Sequence, residues 1–364
     1  MGTRLNITDS NQWLAKDDSP VIISGPCSAE SRDQMLTTCN NIAKDKRVSI
    51  LRAGIWKPRT RPDIFEGIGE IGLEWLKEAK ENTGLKTCVE VATAEHIEAA
   101  LKWDVDILWI GARTTVNPFS VQNLADVLKG TDIPVMIKNP LNPDLKLWIG
   151  AFERMNNAGI TKLAGIHRGF HAYDNKPYRN LPMWEIPIEL KRILPNLPVI
   201  CDPSHISGKR ELLKAVSQKA LDLSFDGLMI ESHYNPDIAL TDAKQQLTPT
   251  ALKTMLDELI IRDEFGTEDF ELKIEALRLD IDDMDHELFN ILKRRNDKTK
   301  LIGQYKKENN ITVLQLDRLR IMMQERIKYG DELGIDSAFI NKLLMLIHKE
   351  SIRIQTNIMQ DKEV

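Results

Sequence analysis

Between residues 20 and about 262 one pattern keeps returning along the chain. A short, β-branched apolar run breaks off into polar or charged residues, and a polar stretch of helical character follows. The runs are VIISGPCS (21–28), SILRAG (49–54), KTCVEVAT (86–93), DILWIGAR (106–113), PVMIKN (134–139), KLAGIHRG (162–169), PVICDPSH (198–205) and GLMIESH (227–233). Continuous apolar strands alternating with helices predict a parallel sheet covered on both faces. Eight repeats in about 240 residues predict a (β/α)8 barrel, with a doubly wound open sheet as the competing arrangement.

From Leu272 the period changes. Leu277, Ile281, Met284, Leu288, Ile291 and Leu292 follow one another at helical spacing without a proline, which predicts a helix of roughly 35 residues. Two shorter helices are expected at about 314–329 and 336–358, separated by Gly330 and Gly334. The acidic DEFGTEDFE (263–271) reads as a linker, so the expected organisation is a barrel over 1–262, a linker over 263–271 and a helical domain over 272–364. Three helices with one very long member close a core poorly by themselves, and a homodimer through this domain is the expected remedy.

Composition sharpens the division. All 16 prolines lie at or before Pro249, all four cysteines at or before Cys201, and all seven tryptophans at or before Trp184. The net charge of -5, from 49 basic and 54 acidic residues, argues against a nucleic-acid partner. No run of about 18 apolar residues predicts a membrane span. The start, MGTRLNITDSNQWLAKDD, lacks the apolar core of a secretory signal, and cysteines at 27, 39, 88 and 201 match neither a disulfide framework nor a CxxC zinc pattern. A cytoplasmic location is expected.

A barrel concentrates function where its strands end. Read in order, those ends carry Cys27, Arg52 followed by Lys57, Glu90, Arg113, Lys138, His167 with Arg168, His205, and Glu231 with His233. Cys27, His205 and Glu231, joined by Asp242 in LTDAKQQL, offer a mixed sulfur, nitrogen and oxygen set. Such a set suits a divalent transition metal such as Mn, Fe or Zn better than Mg or Ca. Taken alone Asp242 would be a solvated surface carboxylate; at one mouth with the other three it becomes a ligand. Arg52, Lys57, Arg59, Arg113, Lys138 and Arg168 crowd the same end of an acidic chain, which predicts small substrates with more than one anionic group. The stretch GIGEIG (67–72) satisfies G-x-G-x-x-G, but a charged, proline-containing loop precedes it where a dinucleotide site needs a strand. In the helical part Arg278, Arg295 and Lys306 lie close to whole helical turns apart, Arg318 begins the second helix, and Ser351 and Gln355 are one turn apart on the third. A solvated face with ion pairs would also produce that pattern.

The segments GPCS (25–28), KPRT (57–60), GART (111–114), IKN (137–139), HRG (167–169), DPSH (202–205), ESH (231–233) and TDA (241–243), in this order over about residues 15–262, resemble the compact type I-beta 3-deoxy-D-arabino-heptulosonate 7-phosphate (DAHP) synthases. The sister family that makes 3-deoxy-D-manno-octulosonate 8-phosphate typically carries Lys-Ala-Asn-Arg where this chain has Lys57, Pro58, Arg59 and Thr60, which points to erythrose 4-phosphate as acceptor. Residues from about 272 to 358 resemble the all-α chorismate mutases, intertwined helical dimers, with Arg278, Arg295, Lys306, Arg318, Ser351 and Gln355 on that family's substrate-contacting positions. Gln315 and Leu319 depart from its usual Asp and Glu.

These resemblances imply a bifunctional enzyme. The barrel would condense phosphoenolpyruvate with erythrose 4-phosphate, and the helices would rearrange chorismate to prephenate. A divalent metal on Cys27, His205, Glu231 and Asp242 is implied, Mn2+ before Fe2+, Co2+ or Zn2+. Arg113, Lys138 and Arg168 would hold the enolpyruvate phosphate, Arg52 its carboxylate, and Arg59 with Thr60 the sugar phosphate. Lys57 would protonate the developing alkoxide and Glu90 position a water. In the mutase, Arg278 of a partner subunit, Arg295 and Arg318 would clamp two carboxylates, and Lys306 with Gln355 would bond the ether oxygen. Only about 20 residues precede the first strand, so chorismate or prephenate on the helical domain is the expected restraint on the barrel. The rival reading makes the helices a non-catalytic dimerisation and sensing module, which Gln315 and Leu319 favour.

Overall fold

The computed structural model describes residues 5–14, 19–57, 65–263 and 265–362. It divides into two compact units, Met1–Glu264 and Phe265–Val364. The first contains eight strands, β1 Val21–Gly25, β2 Val48–Ala53, β3 Lys86–Val91, β4 Ile107–Ile110, β5 Val135–Lys138, β6 Leu163–His167, β7 Val199–Cys201 and β8 Gly227–Glu231. Each pairs in parallel with the next and β8 returns to β1, so the sheet closes and the open, doubly wound alternative falls. Every expected run holds a strand. The strands stop earlier than the runs do, most visibly at DPSH, where Asp202 caps a short helix, Pro203–Ser207.

The closed sheet makes two cores. Strand residues facing outward pack against the surrounding helices, among them Leu51, Val89, Leu108, Ile137 and Leu228. Those facing inward, Ile23, Ile50, Cys88, Trp109, Met136, Ile166, Ile200 and Met229, fill the barrel, with Trp13 and Leu14 joining them from the N-terminal segment. At two of the turns leading into strands the same device recurs. The main-chain N–H of Thr87 donates to Asp106 Oδ2 and that of Val199 to Asp226 Oδ2, both at 2.8 Å, while Lys80 and Lys191 pair with those aspartates at 2.9 Å.

The second unit is three helices, α1 Glu268–Glu308, α2 Leu316–Glu332 and α3 Ser337–Met359. At 41 residues α1 is longer than expected, because Thr267 accepts a hydrogen bond from the Phe270 N–H and starts the helix inside the acidic stretch read as linker. Its C-terminal half approaches α3 closely at Gly303, where a Cβ would stand 2.9 Å from Ile358 Cδ1. Among the described residues of this unit only Ile340 and Ile354 are buried apolar side chains, whereas Leu277, Ile281, Met284 and Leu288 along α1 are exposed. Among the described residues no helix is long and apolar enough to cross a membrane.

Candidate functional site

The inward apolar layer fixes the polar layer above it. Two residues beyond Ile50, Cys88, Met136, Ile166, Ile200 and Met229, on the same inward face, stand Arg52, Glu90, Lys138, Arg168, Asp202 and Glu231. All of these but Glu90 are buried. Buried ionised groups are costly unless paired, and four of the five pair here: Lys138 Nζ lies 2.8 Å from Asp202 Oδ2, and Arg52 Nη2 lies 3.3 Å from Glu231 Oε1. The Trp109 ring completes the floor, 5.0 Å from the Arg52 guanidinium and 5.7 Å from Lys138 Nζ, and its Nε1 donates to Glu90 Oε2 at 3.0 Å. Gly111 leaves room for that carboxylate, since a Cβ there would stand 2.0 Å from Glu90 Oε1 and push it aside.

At one side of this layer Cys27, Glu231 and Asp242 bring one ligand atom each within 4.8 Å of one another. His205 Nε2 is 3.8 Å from Glu231 Oε1, and its Nδ1 faces Asp202 Oδ2 at 2.8 Å. Lys57 Nζ donates to Cys27 Sγ at 3.1 Å. Burial and the Glu231 charge push the Cys27 thiol up to about 12, with Lys57 opposing. Burial works against the Asp242 carboxylate, yet the Arg179, His205 and Lys57 charges hold it below the usual range. Glu231 Oε1, fully buried, accepts no hydrogen bond among the described residues. A soft thiol, an imidazole and two carboxylates around an acceptor without a donor fit a divalent transition metal, whose charge would displace the thiol proton.

Cations gather around Arg168. Burial, with the Arg179 and Arg113 charges, pushes Arg168 down to about 10 against the opposing pull of Asp202. Arg113 is exposed and has no ion pair among the described residues. Arg168 is aimed by its neighbours: its N–H donates to Asn139 Oδ1 at 2.7 Å and its Nη1 to Asn180 Oδ1 at 2.8 Å, while Asn180 Nδ2 donates to the His205 carbonyl at 2.6 Å. An anion between Arg113 and Arg168 would relieve this crowding.

The structure thus gathers Cys27, Arg52, Lys57, Glu90, Lys138, Arg168, His205, Glu231 and Asp242 at one end of the barrel. Arg59 and Thr60 lie outside the described residues. Two strand-end histidines turn out to be structural. His167 faces outward against Phe170, Trp184 and Phe225, and His233 Nδ1 accepts from the Asn235 N–H at 3.0 Å. Gly67 and Gly69, from GIGEIG, have positive φ angles ahead of helix Ile71–Thr83, with no strand directly before it among the described residues. Trp109, Arg179, Asn180, Asp202, Gln245 and Gln246 were not expected at the site. Asp202 and the two glutamines sit inside motifs already singled out, DPSH and LTDAKQQL, whereas nothing around Arg179 signalled a role.

In the helical unit Arg295 Nη1 donates to Ser351 Oγ at 2.7 Å, and Lys306 Nζ to the Val313 carbonyl at 2.6 Å. Gln355 is buried beside Gly303, its Oε1 without a hydrogen-bond partner among the described residues. Burial and the Arg326 charge lower Arg295; burial, then Arg295 and Lys306, lower His348, so these two neighbours join the group although sequence did not flag them. Arg278 lies 17 residues before Arg295, about 25 Å along α1, with 63% of its side chain exposed. Arg318, Gln315 and most of α2 are exposed as well.

The DAHP synthetase I family model matches residues 5–264, and the chorismate mutase type II model matches residues 277–356. A phospho-2-dehydro-3-deoxyheptonate aldolase from Thermotoga maritima is 32% identical over 65% of this chain and 68% of its own. A 2-dehydro-3-deoxyphosphooctonate aldolase from Wolinella succinogenes is 26% identical over 66% of this chain and 98% of its own. Among solved structures, the crystal structure of the Thermotoga maritima DAHP synthase superposes with a TM-score of 0.59 at 31% identity, covering 65% of this chain and 67% of that one.

Proposed function

We propose how the residues divide the labour in this chain, which belongs to the DAHP synthetase I family and carries a chorismate mutase type II domain at its C-terminal end. The barrel condenses phosphoenolpyruvate with erythrose 4-phosphate and releases phosphate; the helices rearrange chorismate to prephenate. The observation that carries the first assignment is the polar layer itself: cations without an ion pair among the described residues, beside a convergent thiol and carboxylate set with the His205 imidazole next to it.

In the barrel Arg113 and Arg168 bind the enolpyruvate phosphate with Lys138, and Arg52 orients its carboxylate over Trp109. Arg59 and Thr60 take the sugar phosphate. Cys27, His205, Glu231 and Asp242 hold a divalent ion, with Mn2+ preferred over Fe2+, Co2+ or Zn2+. When bound, that ion supplies Lewis-acid polarisation of the aldehyde. Lys57, beside Cys27, donates its proton to the developing alkoxide, and Glu90, held by Trp109, orients the water that adds at C2.

In the helical unit no covalent step is needed, and restraint with electrostatics does the work. Arg295 and Arg318, with Arg278 of a second copy, clamp the two carboxylates; Lys306 and Gln355 bond the ether oxygen, and Ser351 steadies Arg295. Chorismate or prephenate bound there restrains the barrel. Gln315 and Leu319, in place of carboxylates, favour a second reading in which this unit senses without turning over.

Two assays on the full chain, cytoplasmic in this reading, separate these possibilities. Cys27→Ser should lower metal content and cut DAHP formation by at least about 100-fold while mutase turnover persists, and Arg295→Ala should do the reverse. Unchanged metal content and turnover in Cys27→Ser would overturn the barrel scheme. A wild-type chain without mutase turnover would promote the sensing reading.

A further inference from the structure

Each carboxylate of the metal-binding set uses its two oxygens differently. Asp242 Oδ2 lies 3.5 Å from Cys27 Sγ, while its Oδ1 accepts from Arg179 Nη1 at 2.9 Å. Glu231 Oε1 faces Arg52 and His205, while its Oε2 accepts from Gln245 Nε2 at 2.6 Å. The two outer contacts share one origin, because the same Arg179 Nη1 also donates to Gln245 Oε1 at 2.8 Å. A carboxylate is free to rotate about its last torsion unless one oxygen is held. Here both rotations are stopped by a single guanidinium.

Arg179 is itself fixed. Its main-chain N–H donates to the Ile206 carbonyl at 2.9 Å, its carbonyl accepts from Asn175 Nδ2 at 3.1 Å, and Gly208 leaves room for its stem, since a Cβ there would meet Arg179 Cβ at 2.5 Å. Gln245 is 1% exposed, so its amide has no solvent to turn toward. The neighbouring Gln246 holds the third ligand's backbone, accepting from the Cys27 N–H at 3.0 Å.

We propose that Arg179 and Gln245 are positioning residues that act as one buttress, turning Asp242 Oδ2 and Glu231 Oε1 toward a common metal ion. The proposal rests on the reading of Cys27, His205, Glu231 and Asp242 as metal ligands. Outer partners of ligands typically govern metal affinity by about 10- to 100-fold. Because both residues act through one chain of hydrogen bonds, their losses should not add.

The test is equilibrium titration of the metal-free full chain with Co2+, followed by the thiolate-to-metal absorption band, and with Mn2+ by competition. Arg179→Met and Gln245→Leu should each raise Kd about 10- to 100-fold, and the double variant should lose little beyond the worse single one. A wild-type Kd in either folded variant overturns the buttress, and so do multiplicative losses. A raised KM for the sugar phosphate at unchanged metal Kd would assign Arg179 to substrate and also overturn it. If Arg179→Met does not fold, Gln245→Leu decides alone by the same criterion. A wild-type chain that binds no Co2+ through Cys27 refutes the metal reading itself, which is a different outcome from variants that bind as tightly as wild type.

Discussion

The barrel and the helical unit both collect cations for anionic substrates, yet they shelter them in opposite ways. Arg52, Lys138 and Arg168 are 1%, 4% and 7% exposed, enclosed by strands, loops and a tryptophan of their own chain. Arg278 and Arg318 stand in the open, and Leu277, Ile281, Met284 and Leu288 along α1 are exposed with them. A closed sheet makes an interior from one copy, because every strand finds a neighbour on both sides. A helix of 41 residues is about 60 Å long, and neither a helix of 17 residues nor one of 23 spans it alone. The described residues of the first site all come from one chain, and the open stripe of the second is what the proposed second copy would cover.

The sharpest way to break that comparison is to charge the stripe. Ile281→Asp with Leu288→Asp should convert a dimer to a monomer in sedimentation and reduce mutase turnover by about 100-fold or more, since each buried apolar residue at an interface contributes about 1.5 to 3 kcal/mol. DAHP formation should stay within about twofold of wild type when assayed without prephenate. An unchanged sedimentation coefficient, or mutase turnover that survives in a monomer, would show that one copy of the helices suffices.

The next effect is one of stability. Lys138→Met leaves Asp202, fully buried, without its lysine, and breaking such a pair costs about 3 to 5 kcal/mol. Lys293→Met on α1 removes only an exposed pair 3.4 Å from Asp297 and should stay within about 0.5 kcal/mol. All seven tryptophans precede residue 185, so tryptophan fluorescence in a urea titration reports the barrel alone, while ellipticity at the helical minimum includes both units. Equal midpoints for Lys138→Met and wild type would mean that the barrel's polar layer is not sheltered as described.

How much was legible follows from the same contrast. Strand periodicity announced all eight strands, and the strand ends announced Arg52, Glu90, Lys138, Arg168 and Glu231, because a period of two lifts each of them directly above an apolar neighbour. The buttressing residues escaped notice for a physical reason. Arg179 belongs to no run or repeat, and its role exists only because a loop after β6 meets a loop after β8 in space. Asp202 sits inside the strand run PVICDPSH, where nothing separates it from its neighbours; one oxygen caps a helix, and the second pairs with Lys138 and faces His205. In the helices the 3.6 period located α1 and its polar positions. It could not say that Thr267 would carry the helix into the linker, since an N-cap within an acidic run gives no apolar signal.

The smallest effect tests whether the barrel shelters a neutral imidazole as firmly as it shelters charges. Burial, reinforced by the Arg168 charge, pushes His167 down to about 3 in the folded chain, against about 6.5 when unfolded. Between those values the unfolded chain binds the extra proton, so stability is intact above about pH 6.5 and declines as pH falls. At pH 5 the residue should weaken the barrel by about 2 kcal/mol relative to neutral pH. His167→Phe retains the ring among Phe170, Trp184 and Phe225 while removing the titration. Its denaturation midpoints, read from tryptophan fluorescence, should therefore fall less steeply from pH 7 to pH 5 than those of wild type. Parallel curves would show that the ring is protonated without expelling itself from its aromatic surroundings, and that this part of the barrel is less closed to charge than the polar layer on the inner face of the same strands.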